Sequence, residues 1–206
     1  SPVELPLSRP ARLARLHPEA IFKEGTRQLH QPQGHDDPVI ELTGRTHCRA
    51  LFIPTASYDS EQFWQGFQRV YGGKLGCDTS VLYLLNQHPT FEELNAQILS
   101  ADLIYVGGGN TLKMMRRWRK LGVDRLLQAA YKGGVVLAGV SAGAICWFNY
   151  GHSDSMAFYH PNDWRYIRVR GMGLVGALAC PHFDGETAGV KPVSYTHLTL
   201  PTNREV

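Results

Sequence analysis

Between residues 49 and 182 the chain alternates short apolar runs with stretches of helical spacing. Residues 49–55 (Arg-Ala-Leu-Phe-Ile-Pro-Thr) predict a buried strand ending at Pro54, followed by a polar loop over 56–60. Apolar positions at 63, 64, 67 and 70 then recur at the period of a helix over 61–71, with Ser60 as its cap and Glu61 as first-turn charge. Residues 81–85 predict a second strand, and Thr90-Phe-Glu-Glu93 is a capping box opening a helix that carries Leu94 and Ile98. A third strand over 102–106 runs into Gly107-Gly-Gly-Asn-Thr111. The next helix bears the stripe Leu112, Met115, Trp118 and Leu121. A continuation over 124–130 ends at Gly133-Gly134. The run 135–140 predicts a strand buried on both faces, and 173–181 a final apolar stretch ending just before His182.

Strands and helices alternating at this interval define β-α-β units. The expected fold class is α/β: a three-layer parallel sheet flanked by helices. Right-handed crossovers place the helices on both faces and the strand C-terminal ends along one edge. Three groups with chemical potential then share that edge: the Gly107 to Thr111 loop, Ser141 and His182.

Ser141 stands in Gly-Val-Ser-Ala-Gly at 139–143, between the buried strand and residues that favour helix. This is the sequence form of a nucleophile elbow. Glycines remove Cβ atoms where the chain bends sharply and the helix approaches the strand, leaving the hydroxyl projecting. A serine hydroxyl needs a base within hydrogen-bonding reach. His182 is the candidate, placed just past a strand that can neighbour the elbow. A third group would orient the imidazole; Asp154 lies 13 residues after Ser141 in a loop able to fold back, with Asp163, Asp184 and Glu186 as competitors. The oxyanion of acyl transfer needs preorganised N–H donors. Ala142 supplies one candidate, Gly108 or Gly109 another, and Asn110 belongs to the same substrate loop. The glycine loop has neither the G-x-G-x-x-G spacing nor the lysine of a phosphate-binding loop.

Length and composition narrow the classes. The chain has 206 residues, 43% hydrophobic, with 21 glycines and a net charge of +3, which suits one α/β domain. Its basic residues are dispersed except for Arg116-Arg-Trp-Arg-Lys120, better explained as a polar helix face than as a nucleic-acid site. Four cysteines without C-x-x-C spacing read as reduced thiols of a cytoplasmic protein, and nine histidines form no compact metal-ligand pattern. No signal peptide, apolar run near 18 residues or lipidation motif is present. The expectation is no cofactor, no metal, no nucleic acid and no membrane, with a small-peptide substrate and a monomer or homodimer.

Taken together, Leu51-Phe-Ile-Pro-Thr-Ala56, Leu103-Ile-Tyr-Val-Gly-Gly-Gly-Asn-Thr111, Gly139-Val-Ser-Ala-Gly-Ala144, Ser153-Asp-Ser155 and Cys180-Pro-His-Phe-Asp184 resemble the peptidase E family over residues 36–187. The resemblance implies a flavodoxin-like, class I glutamine amidotransferase-like scaffold and a serine peptidase. Ser141 would be its nucleophile, His182 its base and Asp154 its third member. It further implies small peptides, dipeptides with N-terminal Asp among them, as substrates. The arginine that founding members use after the catalytic histidine has no counterpart here, and Arg165, Arg168 and Arg170 are the substitutes on offer. A cyanophycinase-like hydrolase and a non-catalytic amidotransferase-like binding domain are the alternatives.

The ends match less well. Residues 1–35 carry five prolines and no strand pattern, so a truncated or replaced segment is expected there. The peptidase E-like domain is expected over 36–190, truncated at its C-terminus. Residues 191–206 read as a non-native tail derived from a sequencing adapter.

Overall fold

A computed structural model describes residues 38–181. The expectations for residues 1–35, for His182, Asp184 and Glu186, and for the tail over 191–206 lie outside the described residues. In chain order the elements are α1 (Pro38–Glu41), β1 (Arg49–Ile53), α2 (Glu61–Phe67) with a π-helical extension (Gln68–Gly72), β2 (Asp78–Val81), α3 (Phe91–Ser100) and β3 (Leu103–Val106). Then come α4 (Thr111–Leu121), α5 (Val123–Lys132), β4 (Val136–Gly139), α6 (Ala142–Ile145), β5 (Phe148–Ser153), β6 (Ile167–Arg170) and β7 (Val175–Ala179).

The first four strands form one parallel sheet in the order β2-β1-β3-β4. All four residues of β3 are buried, as expected of a strand covered on both faces. Alternation along the strands divides the core in two. Leu51, Ile53, Ile104, Val106 and Leu137 face α3, α4 and α5 through Leu94, Ile98, Met115, Trp118 and Leu127. Ala50, Phe52, Leu103, Tyr105, Val136 and Ala138 face the other side, against Phe67, Val70 and Tyr71 of α2 and its extension. Helices therefore cover both faces, and the α/β three-layer arrangement holds.

Helix ends follow the local chemistry of the sequence. Thr90 and Glu93 close the capping box of α3, each side chain bonded to the other's N–H. Asn110 caps α4, its Oδ1 accepting from Lys113 N–H at 2.9 Å. Gly122, with φ 74°, ends α4 in the left-handed conformation and lets α5 begin at once.

Two expectations are corrected. The strand expected over 81–85 is instead β2 at Asp78–Val81. Leu82 N–H still reaches Phe52 O at 2.9 Å, but the N–H groups of Leu85 and Asn86 go to the Asp59 carboxylate, which ends the ladder. Leu82 and Leu84 stay buried by packing rather than by pairing. The final apolar stretch does form a strand, β7, yet it does not lie beside the elbow strand. It pairs parallel with β5 in a separate three-stranded sheet of order β6-β5-β7, in which β5 and β6 are antiparallel. The elbow helix has only four residues, so the chain re-enters an extended conformation at Phe148 and offers β7 a nearer partner than β4.

Candidate active site

Ser141 follows β4 with φ 52° and ψ −113°, a backbone conformation that residues with a Cβ rarely adopt. Neighbouring hydrogen bonds hold it. Val140 N–H donates to Val106 O at 3.2 Å, Gly143 N–H to Val140 O at 2.9 Å, and Ala144 and Ile145 N–H both to Ser141 O at 2.9 Å. The two flanking glycines are there for close approach. A Cβ on Gly139 would meet Gly143 O, and one on Gly143 would meet Val106 O. The bend needed to project Ser141 is therefore built from a strand edge and two missing side chains.

The glycine loop leaves β3 next to this bend. A Cβ at Gly108 would stand 3.3 Å from Ser141 Cβ and 3.4 Å from Val140 O. Gly109 has φ 131° and abuts Ala56, so it too accepts no side chain. Gly107 N–H continues the β1–β3 ladder to Ile53 O (3.2 Å), and Asn110 N–H is taken by Ala56 O (2.8 Å). Among the described residues, no backbone acceptor takes the N–H of Gly108, Gly109 or Ala142. Gly108 thus packs directly against Ser141, in a loop whose N–H groups at Gly108 and Gly109 have no backbone acceptor among the described residues. Asn110 is fully buried and serves α4 as its cap, while its Nδ2 has no acceptor among the described residues.

Asp154 is exposed and opens the 3-10 turn Ser155–Phe158 directly after β5. Its two neighbours are buried and anchor that turn to the start of α4. Ser155 Oγ accepts from Leu112 N–H at 3.0 Å, Ser153 Oγ donates to Thr111 Oγ1 at 3.1 Å, and the two serine hydroxyls lie 2.7 Å apart. The turn that Asp154 opens is thereby fixed to the helix that the glycine loop leads into. Ser153 and Ser155 were in the motif read for Asp154, but only the carboxylate was given a part. Hydroxyls on either side of an acid were the available signal. Asp163 lies in an exposed turn, its N–H on His160 O at 3.2 Å.

Other groups near the elbow divide clearly. Cys146 is fully buried, and burial pushes its thiol well above the usual range; its Sγ donates to Gly143 O at 3.1 Å. Cys180 Sγ lies 3.6 Å from His152 Nδ1, and the His152 ring stacks on Tyr166 at 4.1 Å. Arg168 rests over the Tyr150 ring at 4.7 Å, and Arg165 and Arg170 are exposed. In the basic run of α4, Arg117 Nε donates to Leu84 O and Arg119 Nη2 to Arg170 O, both at 2.6 Å, so two of its charges are engaged in packing. Among the described residues no three His, Cys, Asp or Glu side chains gather as metal ligands, and no helix is long and apolar enough to cross a membrane.

A parallel α/β domain with a serine on a strained strand-to-helix bend defines a class, that of hydrolase-like folds carrying a nucleophile elbow. The model of peptidase family S51 matches residues 25–203, and the chain belongs to that family. It is 38% identical over 151 residues to the uncharacterized peptidase YgaJ of Bacillus subtilis (strain 168), an alignment covering 73% of this chain and 61% of that one. The chain thus spans less than two thirds of that relative's length. Among solved structures, a peptidase from an acI-B1 Actinobacterium matches with a TM-score of 0.54 at 23% identity, over 71% of this chain and 60% of the other. A provisionally named peptidase E protein from Listeria monocytogenes EGD-e matches with a TM-score of 0.50 at 22% identity, over 66% and 69%. At these identities the solved structures bear on the fold alone.

Proposed function

We propose that the protein is a serine peptidase of small peptides, dipeptides foremost and those with N-terminal Asp among them. One observation carries this: the strained Ser141 packs against Gly108, and among the described residues no backbone acceptor takes the N–H of Gly108, Gly109 or Ala142. Strained backbone at a non-glycine residue, maintained by its surroundings, clusters at functional sites, and this supports the reading.

In this mechanism Ser141 Oγ attacks the scissile carbonyl carbon while His182 takes its proton. The tetrahedral oxyanion is received by Ala142 N–H and by Gly108 or Gly109 N–H, donors already in place before the charge develops. The C–N bond breaks, the leaving amine takes the proton from His182, and water hydrolyses the acyl-enzyme by the same route in reverse. Asp154 orients the imidazole and stabilises its cation. His182 has its part from the Pro-His-Phe motif and from its position after β7. Family membership supports peptidase chemistry, and Ser141 in place of cysteine at the elbow favours hydrolysis over glutamine amide transfer. Four free cysteines, three of them buried, suit a reducing compartment, and we place the activity in the cytoplasm.

The test is labelling and turnover by the full-length gene product. A fluorophosphonate should modify Ser141, and wild type should hydrolyse dipeptides while Ser141→Ala loses at least about 1,000-fold in kcat. Turnover that survives Ser141→Ala would sink the mechanism.

A further inference from the structure

Tyr58 and Asp59 are consecutive non-glycine residues in the left-handed region, with φ 62° and 56°. Such backbone persists only where its surroundings hold it, and it tends to mark functional segments. The holders are visible: Tyr58 N–H donates to Thr55 O at 3.2 Å, Asp59 N–H to Pro54 O at 3.0 Å, and the Asp59 carboxylate accepts from Leu85 and Asn86. The result is a tyrosine ring turned outward, 42% exposed. Over that ring, 3.7 Å from its centroid, stands Lys113 Nζ. An ammonium resting on an aromatic face is attracted by the ring, and its flexible stem is thereby restrained. Among the described residues Lys113 forms no ion pair, and the neighbouring Asp59 commits its Oδ2 to the N–H groups of Leu85 and Asn86.

This pair borders the candidate site. The segment Ala56–Ser57 leading into Tyr58 touches Gly109, and Gly108 adjoins Ser141. Lys113 itself is the residue whose N–H is capped by Asn110, at the end of the glycine loop. On the other side Phe158, at the end of the turn that Asp154 opens, lies 6.2 Å from the Tyr58 ring. Next to the glycine loop, then, stands one restrained positive charge that has no ion-pair partner among the described residues, over the exposed Tyr58 ring. Arg168 lies over Tyr150 in a similar way, but on β6 of the second sheet.

We propose that Lys113, restrained by Tyr58, is the post that receives a carboxylate of the peptide substrate and so sets specificity. The carboxylate is the free C-terminus or an acidic side chain. The inference rests on the peptidase function proposed above and deepens it. Charge-assisted contacts of this kind discriminate by about 10- to 100-fold.

The experiment uses full-length wild type, Lys113→Met and Lys113→Arg on Asp-Leu, Asn-Leu and the C-terminal amide of each. Wild type should favour the carboxylate-bearing member of one pair by about 10- to 100-fold in kcat/KM. Lys113→Met should collapse that ratio toward one, chiefly through KM, and Lys113→Arg should restore part of it. Collapse of the Asp/Asn ratio assigns the side chain, and collapse of the acid/amide ratio assigns the C-terminus. Ratios that stay at their wild-type values in Lys113→Met, or four substrates falling by one common factor, would overturn the inference. Fluorophosphonate labelling of Ser141 in both proteins separates the two levels. Labelling with unaltered ratios sinks only the lysine post, whereas no labelling and no hydrolysis removes the peptidase function and the post with it. Should Lys113→Met melt below the assay temperature, Tyr58→Leu provides the same comparison, with the same ratio expected to fall.

Discussion

Ser155 Oγ accepts a hydrogen bond from Leu112 N–H at 3.0 Å, which ties the turn carrying Asp154 to the first turn of α4. That helix begins immediately after the glycine loop, so one bond couples two parts of the candidate site that are 43 residues apart in sequence. Ser155→Ala would leave the Leu112 N–H of a helix end without its partner, at a cost of about 1–3 kcal/mol. The same change frees the turn that places Asp154. We expect kcat for dipeptide hydrolysis to fall about tenfold with KM changed less, alongside a measurable drop in Tm. Wild-type kcat in a variant with lowered Tm would show that the bond serves the fold only.

The site's glycines should separate by what lies opposite their missing Cβ. In Gly143→Ala the new methyl meets the backbone oxygen of Val106, which cannot move without disturbing β3. This overpacking should cost about 3 kcal/mol or more and yield little folded protein. In Gly108→Ala the methyl stands 3.3 Å from Ser141 Cβ and 3.4 Å from Val140 O, close enough to crowd the serine but with small adjustments available. We expect a folded protein, within about 1 kcal/mol of wild type, whose kcat is reduced at least tenfold. Circular dichroism melts and steady-state kinetics on the pair would settle it; equal loss of stability in both would count against the packing argument.

Three strands of the parallel sheet were legible because they are buried on both faces and so appear as unbroken apolar runs at 51–53, 103–106 and 136–138, whereas the half-exposed edge strand β2 was not. The caps at Ser60 and Thr90 were legible because capping is local chemistry. The second sheet was not. β5 reads Phe-Asn-Tyr-Gly-His-Ser, with exposed and buried positions out of strict alternation, and its partners come from both later strands. Nothing local marks a strand whose identity depends on two later segments. In the candidate site, the Ser141 bend and Gly108 follow from small residues between a strand and a helix. The Ser153 and Ser155 anchor depends on a tertiary contact with α4. The left-handed Tyr58–Asp59 pair gave no clear signal either, since Tyr rarely adopts positive φ and Asp, though enriched there, is found mostly elsewhere.

A second possible nucleophile lies five residues after Ser141, and its environment argues against it. Cys146 is fully buried, and burial holds its thiol in the protonated, unreactive form well above pH 8. In native protein at pH 8, iodoacetamide should leave Cys146 unmodified, read by peptide mass mapping. Cys146→Ala should keep kcat/KM within about threefold while costing about 1 kcal/mol from the lost methylene-sized volume. Rapid alkylation of Cys146, or loss of turnover in Cys146→Ala matching that of Ser141→Ala, would reassign the chemistry.

At the opposite end of the sheet, Asp102 joins the starts of β1 and β3. Its Oδ2 accepts from Arg49 N–H and Nε, each at 3.1 Å, and Arg45 Nε lies 3.3 Å from Oδ1. Burial by itself would raise this carboxyl, but the hydrogen bonds and charge of Arg49, with Arg45 behind them, outweigh it and hold it below the ordinary range. A carboxyl depressed in the folded state stabilises the protein above its unfolded pKa, about 3.9, and that contribution is lost as pH falls through the folded value. Asp102→Asn should therefore cost about 1–2 kcal/mol at pH 7, where the charged acceptor is missing. The difference from wild type should shrink below about pH 4 and close as the native carboxyl protonates. Urea melts of both proteins at pH 7, 5 and 3 test this, and a gap of constant size across the three would refute the linkage. Because Asp102 precedes β3 while Gly108 and Ser141 follow β3 and β4, kcat should stay near the wild-type value throughout the range in which both proteins are folded.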